Sequence, residues 1–527
     1  MNGDGTVALV LVPSSPVRPI EGRVSAEGLA GSEVAEARTI ERRPKFGKGV
    51  VGLLIVAFLL QSSYALLRYL TFRTRALDAG LVNNVLWRLS HGYDDVSGLT
   101  GVSLFADHLN VGLLSLLPLY AGIPELGLPV LHVLQAGSIS LVGWAVWRVA
   151  AAIHLRTRVA AYLTLSSVFG PAAFFAGQVD IQPSTLALGP LGMALANAVE
   201  GGKRWSLVAW SLIAASLRQE MAVAVLVLGL VLWWSRWRNE GRTIALTGAV
   251  VTIGMAAWLL SDPSPGGSLA VHLGHLGSNT TEILATLRSA PWRALGPIGD
   301  PSNLVAAFFW LAPFAVVAPL LAWRWLLMAA PLAAIAVLGV WGGADNFYEH
   351  YWHGLLLAAP VATAFALASR PKLSRLVVVG GGVLTVVTWL LMGPLRFPAA
   401  APPPDLAVAD ENLVVAFVEA ADPQSLVVPT RLAPRLSGRP QIDLYPRPVF
   451  CSRASLGGYV PPSTMAELVV VDLGLDPLLE NQGAAKDVWN QLLRRAYLLG
   501  LSTPRYEVWT LAEINRPPLV TLTCLDG

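Results

Sequence analysis

The side chains able to do chemistry sit in a few short polar stretches between long apolar runs. In Ala76-Leu77-Asp78-Ala79-Gly80-Leu81-Val82-Asn83-Asn84-Val85-Leu86-Trp87, a single carboxylate opens an amphipathic helical segment just past an apolar run. Asp78 there is either a cap that meets the positive end of the helix dipole or a general base that accepts a proton from a hydroxyl. Phe105-Ala106-Asp107-His108-Leu109-Asn110 sets an acid beside an imidazole. That pair suits a divalent metal (Mg or Mn), a phosphate, or a plain surface contact. Asp180 lies in the polar hairpin Gln178-Val179-Asp180-Ile181-Gln182-Pro183-Ser184, and Arg218-Gln219-Glu220 is a charged tripeptide between two short apolar runs. Charges at membrane depth face a cavity or one another, so Arg218 and Glu220 pair internally or mark an external turn. The stretch from Asp345 to His353 is dense in polar and aromatic groups and includes Glu349, His350 and Tyr351. His350 and His353 share a helical face, a spacing that suits joint contact to a phosphate or metal, or a structural pair. No phosphate-cradling Gly loop, nucleophile elbow or HExxH is present.

The elements that must position these groups are membrane helices. The 527 residues are 54% hydrophobic and 13% charged, with a mean hydropathy of +0.56; a soluble domain carries about 25% charged residues. The net charge of +3 is too small to argue for a nucleic-acid partner. Residues 1–48, rich in Gly, Pro, Ser, Glu and Arg, read as a disordered cytoplasmic tail. About eleven runs approach the roughly 20 apolar residues that a spanning helix needs. They lie near 49–67, 128–150, 159–178, 184–200, 205–217, 221–235, 243–261, 303–322, 324–341, 353–369 and 373–394. The fifth and sixth are either two short helices or one broken helix, and 109–123 reads as a surface or re-entrant element. Arg42, Arg43, Lys45, Lys48, Arg148, Arg156, Arg158, Lys203, Arg204, Arg236, Arg238, Arg242, Arg324, Arg370, Lys372 and Arg375 then fall on one side. Basic loops stay cytoplasmic, which puts the N-terminus inside a plasma (inner) membrane. Outside are the large loop 68–127, the short loops bearing Asp180, Arg218, Glu220, His350 and Tyr351, and everything after about 395. Gly380-Gly381-Gly382, within the last span, reads as a close helix contact.

Past Pro402-Pro403-Pro404 the pattern changes. A helix over 405–421, strands at 425–430, 466–473 and 506–511, and a helix over 486–500 predict a small extracytoplasmic α/β domain spanning 396–527. Cys451 and Cys524 both fall in it, on the oxidising side, and are either a disulfide or two buried thiols.

Leu77-Asp78-Ala79-Gly80 with Asn84 and Trp87, His91-Gly92, Asp107-His108, Leu116-Leu117-Pro118-Leu119-Tyr120, Leu134-Gln135-Ala136, Val179-Asp180-Ile181-Gln182-Pro183, Arg218-Gln219-Glu220 and Glu349-His350-Tyr351 occur in an order that resembles a known family. It is a family of bacterial and archaeal multi-pass membrane proteins known as a domain of unknown function, and the likeness covers about residues 50–395. That family in turn resembles the C-type (GT-C) glycosyltransferases. The resemblance implies a GT-C-like helical fold, a polyprenyl-phosphate-linked sugar as donor, and a catalytic carboxylate in the first outer loop, where Asp78 stands. It further implies an acceptor that is a cell-envelope glycan, lipid or protein, with Arg218 and His350 stabilising the leaving lipid phosphate. Asp107 and His108 are the metal candidates, with a metal-independent mechanism equally open. Two sites depart from the family pattern: Asp180-Ile181-Gln182-Pro183 stands where an aromatic-His-Pro sequence is common, and Arg218-Gln219-Glu220 where a Lys-Glu-Asp type is common. The alternatives are a transporter or flippase for a lipid or polar solute, or a non-catalytic scaffold for envelope assembly.

Overall fold

The computed structural model describes residues 47–74, 76–99, 103, 105, 108–178, 180–261, 276–277, 280–293, 301–338, 352–392, 405–444, 466–473 and 497–511. Asp107, His350, Tyr351, Cys451, Cys524 and the expected N-terminal tail up to residue 46 lie outside them. Among the described residues, five helices are long and apolar enough to cross a membrane: Lys48–Leu70, Pro124–Ala152, Thr157–Gly177, Arg238–Trp258 and Pro371–Leu391. Val111–Gly122, Gln219–Trp233, Leu304–Phe314, Trp323–Ile335 and Leu355–Ser369 are shorter apolar helices.

Helix α1 (Lys48–Leu70) shows how the bundle is made. Its 23 residues rise about 35 Å, enough for a hydrocarbon core of about 30 Å. Val50, Leu54 and Ala57 are buried against Trp147, Ala160 and Val168, whereas Leu53, Ile55, Val56, Leu59 and Leu60 are exposed. A face that remains apolar although nothing in the protein covers it is suited to lipid. Gln61, a polar side chain in the same helix, donates to the Val168 carbonyl at 2.9 Å.

Helix α2 (Leu81–Ser90) follows the first span. Next come α3 (Gly127–Ala152), α4 (Thr157–Phe169) and α5 (Pro183–Val199). Pro190 has no N–H, so within α5 the carbonyl of Leu186 loses its helical partner. The hydroxyl of Ser138 on α3 fills that gap. It lies 2.9 Å from the Leu186 oxygen and 2.8 Å from that of Thr185, and accepts the Gly189 N–H at 2.9 Å. The two helices are locked by one side chain.

The run 205–235 forms two helices, α6 (Arg204–Ser216) and α7 (Gln219–Trp233), separated where Arg218 adopts extended backbone. Helix α8 (Arg238–Ser261) packs on α7 backbone to backbone. A methyl group on Gly229 would collide with the main chain of Ala245, the close approach that small residues permit between membrane helices. Gly229→Leu therefore should force the pair apart, with a loss of about 1–3 kcal/mol or more. A lowered melting temperature in detergent, with Gly254→Leu as a matched control in open space, checks this.

Later spans differ from the expected continuous ones. Helix Pro301–Leu311 gives way to a 3₁₀ turn at Ala312–Phe314, left-handed backbone at Ala315 (φ 58°) and a short helix Val317–Leu320. Pro313 and Pro319 withdraw backbone donors there. The run 324–341 begins as 3₁₀ helix, Trp323–Ala329, and continues as Ala330–Leu338. Helices α9 (Leu355–Ser369) and α10 (Ser374–Met392) close the bundle. Gly381 meets Pro313 and Tyr162 closely, as the Gly triplet predicts. The segment 109–123 is a 3₁₀ stretch, Val111–Leu116, then a short helix, Leu117–Gly122. It is too short to cross a bilayer.

The C-terminal region begins with α11 (Asp405–Ala421) and then forms β1 (Ser425–Val428), β2 (Gln441–Leu444), β3 (Leu468–Asp472), β4 (Tyr497–Ser502) and β5 (Tyr506–Leu511). The order is β2-β1-β3-β5-β4. β1 runs parallel to β2 and β3, and β5 is antiparallel to β3 and β4. The helix expected over 486–500 is overturned at its described end, where Tyr497–Ser502 pairs with β5 and that pairing outweighs local propensity. Val414, Val418, Leu426, Val428, Ile442, Val470 and Val508 form the core of this layer, and Phe72 and Leu99 from the segment after α1 complete it.

Candidate functional site

Arg218 is the most deeply buried cation of the site, 1% exposed. It stands at the break before α7, and Glu220, 8% exposed, occupies the first turn of that helix. The acid there gains from the helix dipole. Arg218 Nε lies 3.0 Å from Glu220 Oε2, while Arg218 Nη2 reaches His108 Nε2 at 2.9 Å. A guanidinium only donates, so that ring nitrogen accepts. Gln219 closes the cluster: its Oε1 accepts the Leu109 N–H at 2.9 Å and its Nε2 lies 3.1 Å from His108 Nδ1. The structure thus joins two polar stretches separated by more than a hundred residues. It also turns His108 Nε2 onto a cation, which leaves that nitrogen poorly disposed to a metal. Among the described residues, no three His, Cys, Asp or Glu side chains are grouped to hold a metal ion.

Asp180, 4% exposed, faces Arg68 at 3.5 Å. Its turn is held from below by Gln135, which accepts the Gln182 N–H at 2.8 Å and donates to the Ala176 carbonyl at 3.1 Å. Arg68 in turn donates to the Arg73 carbonyl at 2.9 Å. Sequence reading did not single out Arg68. The signal was available, since a charged residue in the last turn of an apolar helix needs a partner.

Asp78 is half-buried in a π-helical turn, Ala76–Gly80, that leads into α2. A clamp holds this segment against residues 433–440. Asn83 Nδ2 donates to Ser437 Oγ at 2.8 Å, and its Oδ1 accepts the Tyr120 hydroxyl at 2.8 Å. Asn84 Nδ2 donates to the carbonyls of Ser437 at 2.7 Å and Arg439 at 3.2 Å, and Arg88 donates to that of Pro440. The segments bearing Asp78, Asp180 and Arg218 surround one apolar cluster that includes Ala79, Val82, Leu131 and Ile181, with Leu217 packed against it. His353 is fully buried, 2.5 Å from Thr185 Oγ1 and 5.4 Å from the Trp310 ring, with Arg218 among its electrostatic neighbours.

Beside this cluster runs an apolar groove of about 910 Å³, lined by α1, α3, residues 111–116, Leu186 and Pro190 of α5, and the end of α6. Along α3 it extends from Leu131 to Trp144, about 20 Å of helix rise. Ile55, Leu134 and Ile213 on its walls are 53%, 45% and 46% exposed, so the groove opens sideways. Gly112, Ser216 and Leu217 form one end, and the next residue is Arg218.

These features define a multi-pass membrane protein that presents buried charged side chains beside a lateral apolar groove. The chain belongs to the family described as predicted membrane protein (DUF2079), whose model matches residues 68–450. The family resemblance read from the motifs is therefore correct. A search of curated proteins finds no match. The crystal structure of ArnT from Cupriavidus metallidurans bound to undecaprenyl phosphate aligns with a TM-score of 0.53 at 13% identity, covering 89% of this chain and 99% of that one. The apo structure of ArnT from the same organism gives 0.49 at 12% identity, covering 88% and 98%. At such identity the likeness is one of fold.

Proposed function

We propose that this protein is a GT-C-type membrane glycosyltransferase that moves a sugar from a polyprenyl-phosphate donor to an envelope acceptor at the outer face of the plasma membrane. The observation that carries this is the lateral apolar groove, long enough for a prenyl chain, whose lining reaches Leu217, the residue before the buried Arg218. The fold likeness to ArnT, a GT-C glycosyltransferase solved with undecaprenyl phosphate, supports the same reading. About eleven spans over 49–395, the N-terminus inside, and residues 396–527 as an extracytoplasmic α/β domain complete the topology.

In the reaction, an acceptor hydroxyl attacks the anomeric carbon, the bond from that carbon to the phosphate oxygen breaks, and the lipid phosphate leaves. Asp78 takes the hydroxyl proton as general base. Arg218, with His350 and Tyr351, stabilises the charge on the departing phosphate; Asp180 and Glu220 hold the cations in place. Asp107 is a further candidate for contact to the phosphate. The test is Asp78→Asn, assayed for sugar transfer from a polyprenyl-phosphate donor in membranes. A fall of about 10²–10⁴-fold with unchanged melting temperature is expected of a lost general base. Undiminished transfer would remove Asp78 from the mechanism. Absence of transfer by wild type with any donor, alongside lipid movement between leaflets of liposomes, would favour the flippase reading.

A further inference from the structure

We propose that the carboxyl edge of the C-terminal sheet is a second binding site, for a phosphorylated sugar. The topology singles out this edge. β1 lies between two parallel neighbours, β2 on one side and β3 on the other, and open α/β sheets bind ligands beyond the strand ends where the order reverses in this way.

The side chains gathered there are not those of an inert edge. Arg431 follows β1, and Asp472 ends β3, where Arg505 grips both of its oxygens at 3.3 and 3.1 Å. From α11, Glu411 reaches in with no exposed surface. Its Oε1 accepts the Tyr506 hydroxyl at 3.0 Å and meets Arg431 Nε at 2.8 Å. Its Oε2, equally buried, has no hydrogen-bond partner among the described residues. Both oxygens belong to one carboxylate, so the unpartnered one lies beside the oxygen that meets Tyr506 and Arg431. A buried carboxylate oxygen wants a donor, and a sugar hydroxyl supplies one.

The charges ask for the other half of the ligand. Arg73, whose electrostatic neighbours include Arg431, Arg68 and Glu411, brings a further guanidinium near Arg431 and Glu411. Burial, then the nearness of Arg431, holds the proton affinity of Arg73 below its ordinary value. Burial likewise pushes Glu411 up despite Arg431 and Tyr506. An oxyanion would relieve the crowded cations, and planar guanidiniums match phosphate oxygens well. Thr74, next to Arg73 and 1% exposed, has a hydroxyl without a hydrogen-bond partner among the described residues. About a quarter of the side chains of Arg431 and Arg505 is exposed, which gives a ligand its way in. This inference does not rest on the transfer reaction.

The experiment titrates the detergent-solubilised full chain with glucose 1-phosphate, glucose and inorganic phosphate, and separately with the same phosphoglucose on a farnesyl chain. Saturable binding of glucose 1-phosphate, tighter than that of either fragment, is expected. Arg505→Gln should weaken it at least tenfold, and Glu411→Gln should remove the preference over phosphate. Arg505→Gln carries the test if Glu411→Gln melts early, because Arg505 lies at the rim. No saturable binding, phosphate binding as tightly as glucose 1-phosphate, or binding indifferent to Arg505→Gln would overturn the proposal. Binding of the farnesyl form alone, unchanged by Arg505→Gln, would assign it to the lateral groove and overturn the proposal equally.

Discussion

Arg218→Ala should destabilise the protein by roughly 3–5 kcal/mol, because it leaves Glu220 as an uncompensated buried charge. The pair is 2% and 9% exposed at its side chains, so solvent cannot take over the role of the missing partner. His108 also loses the donor that faces its Nε2. Two effects are mixed in this variant, and a second separates them. Arg218→Met with Glu220→Leu removes both charges and retains apolar volume, a replacement that is often neutral or stabilising in protein interiors. The double variant should recover most of the lost melting temperature. Sugar transfer should stay absent in both, since the cation proposed to stabilise the leaving phosphate is gone in both. If the double variant recovers stability and transfer together, Arg218 is a structural residue only.

Asn84→Leu should have the second large effect, through the contact between α2 and the C-terminal region. The Asn84 side chain is fully buried. It donates to two carbonyls near the sheet and accepts the Gly98 N–H at 3.0 Å. Leucine has similar bulk but leaves all three backbone groups unsatisfied, at about 1–3 kcal/mol for each buried group. A loss on the order of 3 kcal/mol or more follows. Limited proteolysis should then cut the C-terminal region from the bundle sooner than in wild type. Ser437→Ala is the contrast: Asn84 binds the Ser437 backbone carbonyl, so this variant keeps that bond and loses the one from Asn83 to the hydroxyl. A clamp carried by backbone carbonyls predicts a small effect for Ser437→Ala. Equal protease sensitivity of Asn84→Leu and wild type would show that the sheet is held by other contacts.

The clamp also revises what the Leu77–Trp87 motif does. Only Asp78 within it was read as chemical, and its neighbours were read as an amphipathic helix. Asn83 and Asn84 are instead buried at a junction with residues some 350 positions later in the chain. Trp87 packs on His91 at 4.1 Å between centroids, and against Gly438. The motif is thus a docking surface for residues 437–440 as well as the carrier of Asp78. Nothing in its own spacing reveals that, because the partner carbonyls have no sequence signature.

What the sequence alone determined is the set of properties that depend on near neighbours. An apolar run of about 20 residues has one stable place, the bilayer interior, so the membrane helices were legible from composition. The family motifs, and the placement of Asp78, Asp180 and Arg218 between apolar runs, were legible too. Prolines already marked where the spans near Pro313 and Pro319 would break, although the run lengths suggested continuous helices. Only the tertiary structure decided which charges meet. Arg218 with His108, Arg68 with Asp180, and Glu411 with Arg431 are each pairs from distant segments. It likewise decided that Tyr497–Ser502 is a strand, since an apolar run next to Gly500 takes the conformation its partner β5 imposes. The lateral groove has walls from five separate stretches. The physical reason is that hydrophobic partition acts on each segment by itself, while a buried charge or an unpaired backbone group is satisfied only by whatever the packing brings within about 3 Å.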